Sequence, residues 1–545
     1  MLQHFYAYSL ESSDGYTRHT FDGNVSARDL AETYLPVFQT CAAVDVAQVM
    51  CSYNSVNGVP TCLDSHAQNT VLRERFGFAG MIVSDCDAIA DAWEENAHDY
   101  AANASDATAK AITGGTDMDC GITYTAGAAE ALSSGALPVE ALDTAVARSI
   151  AMRIRLGELD RPDANPYRDT SKYGRQALAS IAARALALQA AEESIVLLKN
   201  DGDLLPLSSV SADGGLRIGV LGPTAAPRWN PDDKEDYCPP YRVDPLQGLQ
   251  TETAGGSNFT VVHCEGCCAE QTTHSIPSKC DPKKAAAFSK TVDVVILALG
   301  GDLGGEGRDW EGKLPTDQAE LAAAVIAANA RSVAVLVHGN PMSIDPLAKS
   351  YPAIVEAFEG GQSAGTALAR MLLGRSEVAP SGVLPYTIYP DDYTSQLKMS
   401  DMNMRAGPGR TYRFYKGKPT FAFGHGLTYT RFDLAWHSSP AAKVSAVQAQ
   451  RGLRFEIRVE NVGERVGAKV VAAYVSAVGT GVADVPRRQL LGIGKIKVGI
   501  LLPLLSLWQH ASHLLCRSLP PPSPPVLYHT LTYHTLPSSR QESRA

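Results

Sequence analysis

The sequence predicts an α/β protein built of unlike units in series: part of a (β/α) barrel, then a doubly wound α/β sheet, then the start of a small β-sandwich. Three observations carry this reading. Short apolar runs alternate with helix-like segments up to residue 178. A second, longer alternation runs from 179 to 395. After a stretch rich in Gly, Pro and aromatic residues, the period shortens to the two-residue alternation of strands.

In residues 1–178 the strand candidates are Gln3–Tyr8, Ala47–Tyr53, Gly80–Asp85 and Ala111–Asp117. Helical patterns lie at Ala27–Cys41, Ala67–Phe76 and Leu142–Leu156. In the last, Leu142, Val146, Ile150 and Ile154 recur every fourth residue, and Gly157 follows as a C-cap. A complete barrel takes eight strand–helix units and about 250 residues. Four units are legible, so half a barrel is expected.

In residues 179–395 the strand candidates are Ser194–Leu198, Arg217–Leu221, Phe259–His263, Asp293–Leu299, Ser332–His338 and Ala353–Glu359, with helices at Thr316–Ala328 and Ser363–Leu373. Loops at the C-terminal ends of such strands are available for a site. Residues 396–430 read as a connector. In 431–498, Leu453–Val459 and Lys469–Val475 alternate around Asn461-Val462-Gly463, which reads as a hairpin of a β-sandwich. The tail 499–545 is low-complexity, with Pro520-Pro521-Pro522-Ser523-Pro524-Pro525, and is expected to be disordered and to add no strands.

Composition narrows the function classes. The chain has 545 residues, 45% hydrophobic and 19% charged, enough for two or three cores. Its net charge of −10 comes without a Lys/Arg cluster, which argues against a nucleic-acid partner. Nothing in the charge balance points to a membrane, and the apolar run Gly499–Trp508 is far shorter than the ~20 residues a spanning helix needs. Eleven cysteines and three sequons, at Asn24, Asn103 and Asn258, point to an oxidising compartment and a secreted or vacuolar glycoprotein. The segment Met1–Tyr6 has neither the basic nor the apolar region of a signal peptide. The expectation is therefore that a signal peptide and the first barrel strands lie upstream of Met1, and that a continued sandwich belongs where residues 499–545 stand.

The chemistry concentrates at Gly80-Met81-Ile82-Val83-Ser84-Asp85-Cys86-Asp87-Ala88, where an apolar strand ends in a carboxylate. Barrel active sites are built at that end, although strands also end in Asp for reasons of turn geometry. A second acidic loop, Gly300-Gly301-Asp302-Leu303-Gly304-Gly305-Glu306-Gly307-Arg308-Asp309, follows the strand at 293–299. It carries neither phosphate-binding glycine signature, so a nucleotide site is not expected there.

Several segments resemble glycoside hydrolase family 3, in particular its plant- and fungal-type β-D-xylosidases, some of them also α-L-arabinofuranosidases. They are Val49–Cys62, Ile82–Ala88, Gly115–Gly121, Ser194–Asn200, Gly409–Tyr415 and Phe423–Tyr429, in the family's order over residues 2 to 498. The resemblance implies the C-terminal half of a (β/α)8-type barrel, an α/β sandwich domain and a partial fibronectin type III-like domain. It implies a retaining exo-glycosidase acting through two carboxylates, which need to be about 5–5.5 Å apart. The family's nucleophile falls on Asp85, and its Glu-Gly-x-Asp pattern places the acid/base on Glu306. His4 and Tyr53 match sugar-binding positions, and Gln3 stands where the family has Lys. Trp310 replaces an Arg, and the family's sugar-clamping Asp and Arg would lie upstream of Met1.

Asp87, Asp117 and Asp119 read as structural. Cys51 with Cys62 and Cys86 with Cys120 are candidate bridges, and His263-Cys264 with Cys267-Cys268 reads as disulfide-forming, with Cys238 and Cys280 as further partners, rather than as a metal site. No metal and no cofactor are implied. Three functions stay open: hydrolysis of xylo-oligosaccharides or other pentosides, with β-glucosides as the alternative substrate; an inactive member of the family; and a sugar-binding or scaffolding protein.

Overall fold

Short apolar runs lay down three parallel strands in the first unit, β1 (Leu2–Phe5), β2 (Gln48–Cys51) and β3 (Met81–Ser84), in the order β1-β2-β3. All four residues of β3 are buried, as a parallel strand covered on both faces requires. The computed structural model describes residues 1–209, 215–227, 241–255, 258–268, 279–301, 305–310, 312–437, 454–478, 482–499, 504–509 and 530–534.

The fourth strand expected at Ala111–Asp117 is instead the end of a helix, α1 (Ala104–Gly114). The Asn103 side chain caps its N-terminus by accepting the Asp106 N–H, and Gly115 closes it at φ +113°. These caps, with four alanines between them, outweigh the β-branched Thr108, Ile112 and Thr113. The sheet continues only as a bridge between Val83 and Met118. A later helix, α2 (Val139–Arg155), has the expected period, yet Val146, Ile150 and Ile154 are 45%, 45% and 54% exposed. Its buried residue is Ala145.

The second unit is a six-stranded sheet made of β4 (Val196–Asn200), β5 (Leu216–Leu221), β6 (Phe259–His263), β7 (Val294–Gly300), β8 (Ser332–Val337) and β9 (Ala353–Glu356). The order is β6-β5-β7-β8-β9-β4, parallel throughout except that β4 runs antiparallel to β9 at the edge. Every residue of β7 is buried. Its apolar side chains divide between two cores, Val294, Ile296 and Ala298 on one face and Val295, Leu297 and Leu299 on the other. Helices α3 (Thr316–Ala328) and α4 (Ala364–Leu373) occupy the predicted segments.

The connector ties the units together. Arg405 pairs with Asp29 and Glu32, and Arg413 donates to the Glu32 carbonyl at 2.8 Å. Leu427 N–H donates to the Leu197 carbonyl at 2.8 Å.

The last unit has β10 (Phe432–Trp436), β11 (Arg454–Asn461), β12 (Gly467–Val478), β13 (Gln489–Val498), β14 (Leu504–Gln509) and β15 (Thr530–His534). They form two three-stranded antiparallel sheets, β10-β11-β14 and β13-β12-β15. The hairpin expected around Asn461-Val462-Gly463 is not formed, because β11 and β12 belong to different sheets. Asn461 redirects the chain instead. Its Oδ1 accepts the Gly463 N–H and its Nδ2 donates to the Arg465 carbonyl, and Gly463 lacks the positive φ of a two-residue hairpin turn. The tail is also corrected in part: β14 and β15 complete the open edges of β11 and β12, which offer unpaired backbone groups to any strand-forming segment. The proline run at 520–525 lies outside the described residues.

Candidate active site

Three strand ends supply the floor of the site. Asp85 directly follows β3, Tyr53 lies just beyond β2, and His4 stands in β1. The Asp85 N–H donates to the Cys51 carbonyl at 3.1 Å, and its Oδ1 accepts the Cys86 N–H at 2.8 Å. His4 Nε2 lies 3.2 Å from Oδ2, and the Asp85 side chain is 13% exposed. Disulfides Cys51–Cys62 and Cys86–Cys120 pin the segments on either side. Around this floor Asp117 is structural: it accepts the Ile82 N–H and pairs with Arg73 and Arg148. Asp119 accepts from the Ser84 hydroxyl and the Tyr124 N–H, and Asp87 occupies a turn at φ +65°.

A small hairpin makes one wall. Ser12–Ser13 pairs with Tyr16–Thr17 across Asp14-Gly15, whose φ values of +54° and +86° are those a two-residue hairpin turn demands. The hairpin brings Glu11 and Arg18 side by side, with Arg18 Nη1 3.4 Å from Glu11 Oε2. The Arg18 guanidinium lies 4.4 Å from the centre of the Tyr53 ring, within the range of a cation–π contact. The same Nη1 donates to Glu306 Oε1 at 3.0 Å.

The loop after β7 docks on this hairpin. Asp309 Oδ2 accepts the N–H groups of Glu11 and Ser12, each at 2.9 Å, and Glu11 Oε2 accepts the Gly307 N–H at 2.9 Å. Gly307 sits at φ +74°, which lets the loop turn between these contacts. Asp302, Leu303 and Gly304 lie outside the described residues. Trp310 turns back, its ring N–H donating to the Lys313 carbonyl and its side chain packing on the core of the second unit.

Tyr53 stands between the two carboxylates. Burial first, then the charge of Asp85 and to a smaller degree that of Glu306, push its hydroxyl above the ordinary tyrosine range, so it is neutral and able to donate. His19 packs edge-on against the Tyr53 ring, and its Nδ1 hydrogen-bonds with Asp91 Oδ2 at 2.8 Å. Burial raises Asp91, and His19 opposes that rise.

Of the expected site residues, Asp85, His4 and Tyr53 lie together on the floor, and Glu306 reaches them through Arg18. Gln3 is an exposed residue of β1. Glu11, Arg18, His19 and Asp91 were not anticipated. The Asp-Gly turn at 14–15 was the available signal, since it brings Glu11 and Arg18 to one hairpin stem.

The cysteines after β6 pair as Cys264–Cys267 and Cys268–Cys280, while Cys238 lies outside the described residues. Among the described residues no group of three or more His, Cys, Asp and Glu side chains is arranged to hold a metal. The three sequon asparagines are exposed, and Asn103 caps α1 through Oδ1.

Comparison with known proteins identifies the family of the chain. The N-terminal domain model of glycosyl hydrolase family 3 matches residues 1–152, and the C-terminal domain model of that family matches residues 195–429. The "Probable exo-1,4-beta-xylosidase xlnD" of Neosartorya fischeri is 34% identical over 524 residues, which cover 91% of this chain and 64% of that protein. "Beta-D-xylosidase 1" of Arabidopsis thaliana is 35% identical over 460 residues, covering 81% and 56% respectively. The chain thus spans less than two thirds of the length of these relatives. A solved family 3 exo-β-xylosidase, bound to a xylobiose aziridine activity-based probe, superposes with a TM-score of 0.81 at 28% identity, over 95% of this chain and 68% of that one. A β-glucosidase from Erythrobacter marinus gives 0.76 at 28% identity, over 94% and 68%.

Proposed function

The chain belongs to glycosyl hydrolase family 3, and on that premise we propose that it is a retaining exo-glycosidase that releases terminal β-D-xylosyl, or related pentosyl, residues from oligosaccharides. Asp85 is the nucleophile. With Oδ1 held by the Cys86 N–H, Oδ2 is the oxygen presented to the anomeric carbon, and His4 orients it. Glu306 protonates the departing oxygen, then takes a proton from the water that cleaves the glycosyl ester. The neutral Tyr53 hydroxyl donates to the sugar ring or to the ester oxygens beside it. One observation supports this reading above the others: carboxylates from two separate units converge on a single tyrosine, through its hydroxyl end and through the arginine on its face.

We read the first sheet as part of a (β/α)8-type barrel, because its strands are parallel, sequential and carry the site at their C-terminal ends. The two facing sheets of the last unit support a fibronectin type III-like domain. Four disulfides among the described residues and three exposed sequons favour an extracellular, cell-wall or vacuolar location.

The test is product analysis with the full chain on xylobiose, an aryl β-xyloside and an aryl β-glucoside. Release of xylose with β as the first-formed anomer is expected. An α product first would contradict retention, and faster cleavage of the glucoside would move the substrate class to hexosides. Sugar binding without turnover would favour a binding protein.

A further inference from the structure

We propose that Arg18 is a positioning residue for Glu306: held between the Tyr53 ring and the Glu11 carboxylate, its guanidinium carries the acid/base group to the glycosidic oxygen. This rests on the reading that Asp85 and Glu306 are the reacting pair.

The geometry argues for it in three steps. Glu306 cannot be placed by packing, because its side chain is 79% exposed and it sits in a glycine-flanked turn. Arg18 can place it, because its own side chain is only 15% exposed and its planar guanidinium is stacked on the Tyr53 ring and paired with Glu11 through the same Nη1. The loop itself is fastened to the same hairpin by Asp309 and Glu11, so the Arg18–Glu306 contact closes a ring: Glu11 to the Gly307 N–H, Gly307 to Glu306, Glu306 to Arg18, and Arg18 back to Glu11. An exposed ion pair alone contributes little. Two further bonds at 2.9 Å, from the Gly307 N–H to the Glu11 carboxylate and from the Glu11 N–H to the Asp309 carboxylate, fasten the loop just past Glu306 and restrict where its carboxylate can be. The wall of the first unit therefore completes a site whose acid comes from the second.

The experiment compares Arg18→Met, Arg18→Lys and Glu306→Ala in the full chain, with kcat/KM measured on xylobiose and on dinitrophenyl β-xyloside. The dinitrophenolate leaves without a proton, so its departure does not need Glu306. For Arg18→Met, kcat/KM on xylobiose is expected to fall on the order of 100-fold, the scale of lost general acid catalysis, and to stay within about threefold on the dinitrophenyl substrate. Azide, attacking the glycosyl ester in place of base-activated water, should restore kcat on that substrate and give xylosyl azide. Arg18→Lys keeps the charge but loses the planar guanidinium that stacks on Tyr53, so it should show the same selectivity in weaker form, and it keeps the test open if Arg18→Met does not fold. An equal loss on both substrates, or no loss on either, overturns the proposal. Glu306→Ala separates the two failures. If it shows the selectivity and the Arg18 variants do not, only the role of Arg18 falls. If it lacks the selectivity, the acid/base assignment falls first.

Discussion

His338 and Glu356 meet at the C-terminal ends of β8 and β9, Nε2 to Oε2 at 3.1 Å, with side chains 1% and 0% exposed. Glu356 also accepts the Phe358 N–H, at 3.2 Å. Burial alone would lower the pKa of His338, but the Glu356 carboxylate outweighs it and leaves the imidazole above its ordinary 6.5. A raised histidine stabilises the fold fully below its unfolded pKa, and that contribution is lost as pH rises through the folded value. Relative to the double variant His338→Leu/Glu356→Leu, the native chain should lose thermal stability as pH is raised above about 6.5. His338→Ala alone should cost about 3–5 kcal/mol, because it strands a buried carboxylate, while the double variant should be close to neutral. Melting curves from pH 5 to 9 check both, and a pH-independent difference would contradict the assignment. Legibility at this scale is uneven. Asp85 was legible because it directly follows an apolar strand within a segment that resembles the family's motif. Arg18 was not, because its importance comes from a turn and a loop nearly 290 residues away.

The elements show why. β7, α3 and α4 lie where their sequences place them, since each carries an uninterrupted apolar period. The end of α1 reads as a strand from its β-branched Ile112 and Thr113, but the caps at Asn103 and Gly115 hold it helical. Asn461-Val462-Gly463 looks like a hairpin turn, but side-chain bonds from Asn461 send the chain to the opposite sheet. In α2 the period is helical, yet the stripe it predicts is half exposed. Periodicity fixes the kind of element but not what lies against its face. The two cases differ in energy. Ile150→Glu in α2 should change stability by no more than about 0.5 kcal/mol, since little apolar surface is removed from water there. Leu72→Ala, at a side chain 0% exposed in the first core, should cost about 2–5 kcal/mol. Denaturant titration distinguishes them, and equal costs would contradict the burial pattern.

At the scale of the whole molecule the proposed site is a product of docking. The first unit supplies Asp85, His4, Tyr53 and Arg18, the second supplies Glu306 and Asp309, and the connector fixes their approach by pairing Arg405 with Asp29 and Glu32. Neither sheet alone holds both carboxylates, which is why the family resemblance, and not the residue pattern of either unit, pairs them. The most direct measurement is covalent trapping with a 2-fluoro β-xyloside carrying an activated leaving group, followed by peptide mass mapping. The fluorine slows hydrolysis of the ester, so the attacking oxygen keeps its label. One 2-fluoroxylosyl group on Asp85 is expected, with none on Asp85→Asn. A label on Asp87 or any other carboxylate would contradict the account.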